Sequence, residues 1–227
     1  MTQAQTIHTD RRLTTPRAAA IAGILFSVLY ITTQVLLRLA LPDTADSGVV
    51  LAEKSGTISL ALSLIPLAGI AFLWFIGVVR DRLGEHEDRF FATVFFGSGL
   101  LYLGLTFIAG SMAGGLLGSY AANPQIVNDP LFSFSNSIMH QTTNIYGLRM
   151  ASVFMSSLAT ILLRTGVLPR WIARLTYILS LILLITISLN VWIKLLFPAW
   201  VFVFSLSILI GEYRSKHRAS TKLADLT

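Results

Sequence analysis

The fourth long apolar stretch of the sequence carries one permanent charge, the guanidinium of Arg149. A guanidinium does not deprotonate, and a charge deep in a bilayer costs a few kcal/mol or more unless it is paired or hydrated. At about 100° per residue, one narrow helical face collects Thr142, Arg149, Ser156 and Thr160, and its flanks carry Tyr146 and Ser152. Because Arg can bind a carboxylate or phosphate through two parallel hydrogen bonds, this face predicts a polar cavity or anion site near the outer leaflet.

A structural role for Arg149 is the alternative interpretation. Its guanidinium can bond backbone carbonyls or a neighbouring helix, or extend to the interface. None of the long apolar stretches of the sequence contains an Asp or Glu, so a counter-ion within the chain would come from a connecting segment, with Asp129 and Glu53 the nearest by topology. Either role requires the polar face of this helix to point into a helix bundle.

His140, Asn144 and Gly147 share the opposite face of the same helix, with Thr143 beside them. One histidine can move protons near neutral pH, but a proton path usually includes a carboxylate as well. A metal site needs further His, Cys or acidic ligands, and none stands at suitable spacing. We therefore expect a hydrated helix end here, with no metal and no cofactor.

The composition determines the environment in which these residues must work. The chain has 227 residues, of which 54% are hydrophobic and 12% charged, and its mean hydropathy is +0.72. A soluble domain contains about 25% charged residues, and a chain of this length cannot enclose so much apolar side chain. The absence of cysteine from the sequence excludes a disulfide scaffold, a thiol catalyst and a cysteine metal site. The sequence predicts an integral membrane protein.

Six uncharged or nearly uncharged stretches are long enough to cross a hydrocarbon core of roughly 30 Å. They are Ala18–Leu37, Ile58–Val79, Phe90–Leu117, Asn136–Leu163, Ile172–Asn190 and Leu195–Gly211. The last two must fold back on each other, because a single helix over Trp171–Tyr213 would be about 64 Å long. Asn190, Lys194 and Pro198 supply the polar anchor and helix stop of this hairpin. We expect an all-α bundle of six transmembrane helices.

Basic residues give the orientation, because short cytoplasmic segments collect Lys and Arg. With the N-terminus inside, thirteen Lys or Arg residues lie on the cytoplasmic side and three, Arg38, Lys54 and Lys194, on the other. Both termini are therefore predicted to be cytoplasmic, with a polar tail over residues 1–16, the membrane domain over 17–213 and a basic tail over 214–227. The net charge of +6 fits anionic lipid headgroups, and we expect no nucleic-acid partner.

Small residues mark the third stretch, where Gly110, Gly114 and Gly118 recur at every fourth position. Such a stripe lets another backbone approach closely, which is how helices associate in lipid. It predicts packing within the bundle or an interface between copies.

In the inner loop Arg80–Arg89, acids and bases alternate at short range, which favours a self-neutralised surface over a catalytic centre.

Three segments carry a resemblance to a group of known proteins: Phe72–Leu101, Arg164–Trp171 and Phe197–Leu209. They resemble uncharacterised multi-pass membrane proteins of high-GC Gram-positive bacteria, over most of the membrane core. The resemblance implies a bacterial plasma membrane protein and implies no activity or functional residue.

Three functions are compatible with these patterns. The first is a protein that binds or passes a small polar or anionic ligand at an intramembrane site formed by Arg149, Tyr146, Thr142 and Ser156. The second is an accessory or structural subunit that assembles with itself or a membrane partner through the Gly110, Gly114 and Gly118 stripe. The third, favoured least, is an enzyme that modifies lipid or isoprenoid, because the sequence lacks paired acids near a membrane face outside the inner loop.

Overall fold

The computed structural model describes residues 15–40, 47–83, 89–165, 170–185 and 191–224, which are almost entirely helical. Seven α-helices follow one another along the chain: α1 Thr15–Ala40, α2 Ser47–Leu83, α3 Arg89–Ala122, α4 Pro130–Gln141, α5 Leu148–Thr165, α6 Arg170–Ile185 and α7 Leu196–Ala224. A 3-10 turn, Pro124–Asn128, links α3 to α4, a π-helical segment, Thr142–Gly147, joins α4 to α5, and a second 3-10 turn, Val191–Leu195, precedes α7.

Among the described residues, five helical runs are long and apolar enough to cross a membrane, which confirms the prediction of a helical, membrane-spanning fold. They are Ala18–Ala40, Glu53–Arg80, Phe90–Ala122, Pro130–Arg164 and Trp192–Gly211. The fourth run combines α4, the π segment and α5. The predicted span Ile172–Asn190 coincides with α6, whose 16 residues are fewer than the roughly 20 that a span needs; residues 186–190 lie outside the described part of the chain.

Side-chain caps and prolines set several helix boundaries. Asp129 accepts a hydrogen bond of 2.7 Å from the backbone N–H of Leu131 and so caps the N-terminus of α4, with Pro130 in the first turn. Pro198 lies in the first turn of α7, where its missing N–H is not needed. The predicted break between the last two apolar stretches therefore falls before Pro198, at the 3-10 turn.

An aromatic cluster at the centre of the bundle holds four helices together. The ring of Phe72 on α2 has its centroid 4.6 Å from that of Phe26 on α1, 5.4 Å from that of Phe154 on α5 and 5.7 Å from that of Phe197 on α7. All four side chains are buried. Tilted and edge-to-face pairs of this kind add to the packing energy of the buried area.

The polarity of α6 is reversed relative to a helix of a soluble protein. Its buried face carries Ala173, Thr176, Ser180 and Leu183, whereas large apolar side chains such as Ile178 are exposed. Ser180 donates to the carbonyl of Ser152 on α5 over 3.0 Å. Since lipid gives no hydrophobic drive for helix association, small side chains and interhelical hydrogen bonds hold such a helix in place.

Several predicted segments lie wholly or partly outside the described residues. The N-terminal tail is described only from Thr15 onward, and the acidic residues of the inner loop, from Asp81 to Asp88, are not described at the level of side chains. At the other end, the backbone of α7 continues as helix to Ala224, through most of the predicted basic tail.

Candidate functional site

The π-helical segment Thr142–Gly147 changes the geometry on which the Arg149 prediction depended. A π turn bonds residue i to i+5 and rotates less per residue than an α turn, so helical phase is not conserved across it. Thr142 is buried, Tyr146 is 57% exposed and Arg149 is half-buried. The single narrow face that constant α-helical rotation predicts is therefore interrupted between Thr142 and Arg149.

The guanidinium of Arg149 contacts its own helix. Its Nη1 donates a hydrogen bond of 3.2 Å to the carbonyl of Ile145, a carbonyl that also accepts the backbone N–H of Leu148 at the end of the π segment. Of the two acids predicted as counter-ions, Asp129 caps α4 and Glu53 is exposed on α2. These contacts favour the structural alternative, in which Arg149 stabilises the junction between the π segment and α5.

The hydroxyl groups further along α5 are engaged within the helix pair. Ser156 donates to the carbonyl of Val153 over 3.0 Å, and Thr160 donates to the carbonyl of Ser156 over 2.9 Å. The hydroxyls of Thr160 and Tyr177 also form a hydrogen bond, which joins α5 to α6. These side chains thus support helix packing.

A partly enclosed cavity of about 220 Å³ lies between α1, α2, α3, the α4–π run and the second 3-10 turn. None of Thr142, Tyr146, Arg149 and Ser156 lines it. Its wall instead includes six polar or charged side chains from three of these elements: Gln34, Arg38, His140, Thr143, Asn144 and Lys194.

Helical spacing brings this polar wall together. Gln34 and Arg38 are one turn apart on α1, and His140, Thr143 and Asn144 follow one face from α4 into the π segment. The sequence singled out the last three residues but predicted only a hydrated helix end. The structure brings them to the same cavity as α1 and the 3-10 turn.

The cavity is cationic in character. Arg38 and Lys194 line it, together with His140, and no Asp or Glu is among its described lining residues. Lys194 is half-buried. The side-chain oxygen Oδ1 of Asn144 is buried and has no hydrogen-bond partner among the described residues. A buried acceptor without a partner is uncommon in proteins, and a water or ligand donor satisfies it where one is bound.

The opposite wall of the cavity is apolar and comes from α2 and α3. Its residues are Leu62 and Ile65 of α2 and Ala109, Gly110 and Ala113 of α3, together with Thr106. A Cβ added to Gly110 would meet Cδ1 of Ile65 at 3.1 Å, so Gly110 is the position at which α3 approaches α2 most closely within its predicted stripe. All the charged lining side chains therefore come from α1, α4 and the 3-10 turn, although Leu37, Met139 and Ile193 of these elements also line the cavity.

A hydroxyl cluster lies at the end of the cavity nearest the aromatic core. The phenol of Tyr30 forms side-chain hydrogen bonds with Tyr102, Thr106 and Gln34, and the hydroxyl of Thr106 donates to the carbonyl of Tyr102 over 2.9 Å. Tyr30 and Tyr102 are both buried. The cluster closes the cavity toward the core with groups that can both donate and accept hydrogen bonds.

The remaining glycines of the predicted stripe lie in a separate groove. This open groove of about 740 Å³ runs between the first turns of α2 and the last turns of α3 and contains Gly56, Gly114 and Gly118. No atom outside the local backbone lies within 4 Å of a Cβ built at Gly114 or Gly118. The stripe therefore divides into Gly110, which packs inside the chain, and two glycines that face open space.

Arg38 and Lys194 are the site residues that the spacing arguments missed. They come from distant parts of the chain, so no local pattern joins them. A signal was nevertheless present, since both belong to the three basic residues on the side of the predicted topology that is poor in Lys and Arg. A basic residue on the side that is poor in Lys and Arg is therefore a candidate for a specific role in the fold or in a site.

Comparison of the chain with models of known families, with curated proteins and with solved structures gives no match. The class of protein therefore follows from the fold alone. The described residues are almost entirely helical and include five helices of membrane-spanning length and composition, and these helices indicate a multi-pass membrane protein.

Proposed function

We propose that this protein binds a small anionic ligand inside the membrane domain, in the cavity lined by Arg38, His140 and Lys194. One observation carries the proposal: two of the three basic residues that the predicted topology leaves on the outer side line one cavity whose described lining contains no acid. Lys194 is half-buried there, and burial of an ammonium group is costly unless an anion or another acceptor faces it. A bound carboxylate or phosphate would offset that cost.

The membrane placement that accompanies this proposal is a bacterial plasma membrane protein with six spans and both termini in the cytoplasm. The charge asymmetry of the sequence supports it, as does the clustering of basic residues at one end of the helices. There the guanidinium carbon of Arg80 lies 4.8 Å from the ring centroid of Phe96, and that of Arg164 lies 4.9 Å from the ring centroid of Phe91. In this orientation the cavity opens in the outer half of the bundle.

Anion-dependent stabilisation tests the proposal. A ligand that binds only the folded state raises the unfolding midpoint, and its stabilisation grows as the logarithm of its concentration relative to Kd. Acetate and inorganic phosphate are titrated into the protein in nanodiscs at constant ionic strength. We expect the unfolding midpoint to rise for the unmodified protein and for Lys54→Gln, which removes an exposed lysine outside the cavity, and not for Lys194→Gln.

The outcome that contradicts the proposal is equal stabilisation of the unmodified protein and Lys194→Gln, since the anion would then act elsewhere. Absence of any stabilisation by either anion also contradicts it. Circular dichroism and gel filtration of each variant establish that the fold is retained, so that a lost effect is a lost site.

A second candidate function is assembly through α3, and the open space beside Gly114 and Gly118 supports it. A helix of another copy, or of a membrane partner, can approach closely at such positions. Gly114→Leu is expected to dissociate an oligomer while leaving the monomer folded, whereas Gly110→Leu, placed against Ile65, is expected to destabilise the monomer. Unchanged cross-linking of Gly114→Leu in the membrane would exclude this interface.

An enzymatic role in lipid or isoprenoid modification stays a prediction from the sequence.

A further inference from the structure

The two walls of the cavity differ in chemistry, and this difference bears on the kind of anion that fits. The wall from α1, the α4–π run and the 3-10 turn contributes all the charged side chains, beside the apolar Leu37, Met139 and Ile193, whereas the wall from α2 and α3 is apolar except for Thr106. A fully hydrated inorganic anion gains nothing from the apolar wall. A ligand with a charged end and an apolar body satisfies both.

The volume sets the size of that body. A protein cavity of about 150 Å³ lined by apolar side chains holds one benzene ring. The present cavity measures about 220 Å³, which by the same proportion holds about nine non-hydrogen atoms. A carboxylate takes three of them and leaves about six carbons, in a ring or a short chain.

We propose that the ligand is a small amphiphilic carboxylate with an apolar body of about six carbons, its carboxylate at Lys194 and Arg38 and its body against Ile65 and Ala113. This inference rests on the proposed function, because it assigns the chemical class of the same ligand. Asn144 lines the cavity, and its buried Oδ1 has no hydrogen-bond partner among the described residues. A flip of the amide would put Nδ2 in this position, where it can donate to a carboxylate oxygen.

A homologous series of carboxylates measures the contribution of the apolar wall. Acetate, hexanoate, dodecanoate and the neutral analogue 1-hexanol are compared by saturation-transfer NMR with the protein in nanodiscs, with empty nanodiscs as blanks and concentrations in the bilayer matched. Burial of the methylene groups of hexanoate predicts that it binds at least about ten-fold more tightly than acetate. Hexanol is expected to bind more weakly than hexanoate, and Lys194→Gln is expected to remove that difference.

Filling the apolar wall separates this inference from the proposed function. Ala113→Phe places a ring in the cavity and is expected to weaken hexanoate about ten-fold while acetate binding is retained. Ala122→Phe adds the same ring at an exposed position of α3 that does not line the cavity, and is expected to leave both affinities unchanged.

Each other outcome is decisive. Equal, Lys194-dependent affinities for acetate and hexanoate would overturn the amphiphile assignment and leave the anion site standing. Tighter binding of dodecanoate than of hexanoate would overturn the size limit and indicate a lipid-derived chain that extends beyond the cavity. Binding of none of the carboxylates would overturn both the amphiphile and the anion site.

Discussion

The indole nitrogen of Trp200 on α7 donates a hydrogen bond of 3.0 Å to the hydroxyl oxygen of Thr176 on α6. Both residues are buried, and the Thr176 hydroxyl in turn donates to the carbonyl of Ile172 over 2.9 Å. The chain of two hydrogen bonds joins α6 to α7, a helix of the central aromatic cluster. Since α6 exposes its large apolar side chains, this polar contact contributes to its attachment.

Thr176→Val is expected to lower the free energy of unfolding by about 1 kcal/mol, because it leaves the indole N–H of Trp200 without an acceptor. Equilibrium unfolding in mixed micelles measures the loss. Thr32→Val, at an exposed position of α1, serves as the matched control and is expected to be neutral. A double-mutant cycle with Trp200→Phe isolates the pair, and a coupling energy of zero would contradict the assignment.

At Gly23, α1 packs closely against α7 and α2. A Cβ there would meet the Ser205 hydroxyl and would lie 2.8 Å from Cδ2 of Phe75. The hydroxyl can rotate away, but the Phe75 ring is held between Phe72 and Phe204, with centroid distances of 6.2 Å to each. We expect Gly23→Ala to destabilise the protein by about 1–3 kcal/mol.

Gly77→Ala is the control for Gly23→Ala, since a Cβ at Gly77 meets no atom within 4 Å. This substitution is expected to be neutral or to stabilise α2 by up to about 1 kcal/mol, as Ala favours helix over Gly. Thermal unfolding of the two variants side by side makes the comparison. Equal unfolding midpoints for the two variants would show that the side chains around Gly23 can move aside without loss of stability.

Arg149→Gln is expected to retain anion binding, because the guanidinium bonds the Ile145 carbonyl and does not line the cavity. The variant loses one hydrogen bond to a charged donor, and we expect a loss of about 1–3 kcal/mol in the free energy of unfolding. Acetate-dependent stabilisation and unfolding are measured on the same sample. Loss of the acetate effect with an intact fold would restore the site predicted around Arg149.

The number of spans determines whether the two termini share a side of the membrane. The chain has no native cysteine, so single cysteines report accessibility without background. Thr2→Cys and Thr227→Cys are expected to react with an impermeant maleimide only after the cells are permeabilised, whereas Lys54→Cys is expected to react in intact cells. Labelling of one terminus alone in intact cells would indicate an odd number of spans.

The helical membrane architecture was predictable from the sequence because it depends on length and hydropathy, which are local properties. The candidate site was predictable only in part. His140, Thr143 and Asn144 were recognised as a polar face, but the site also needs Gln34 and Arg38 from α1 and Lys194 from the turn before α7. Only tertiary packing brings these together, and no periodicity within one helix encodes it.

The prediction around Arg149 depended on constant rotation along one helix, and the π segment breaks that assumption. Thr142 is the first residue of the segment, and Arg149 is the second residue after its end. The sequence of the segment, Thr-Thr-Asn-Ile-Tyr-Gly, contains no proline to mark the irregularity. A wider turn of this kind is set by the packing on both sides, so its position cannot be derived from residue spacing.

The same π segment gives α4 and α5 independent angular settings. If the same six residues, Thr142–Gly147, adopted regular α-helix, α4 would rotate by roughly 100° relative to α5, because the wider π turn rotates less per residue. The contacts of α5 with the aromatic core would persist, but His140 would leave the cavity lining that it shares with Lys194. A π segment thus acts as an angular adjustment within a helix, since it lets α4 be oriented toward the cavity while α5 remains oriented for packing.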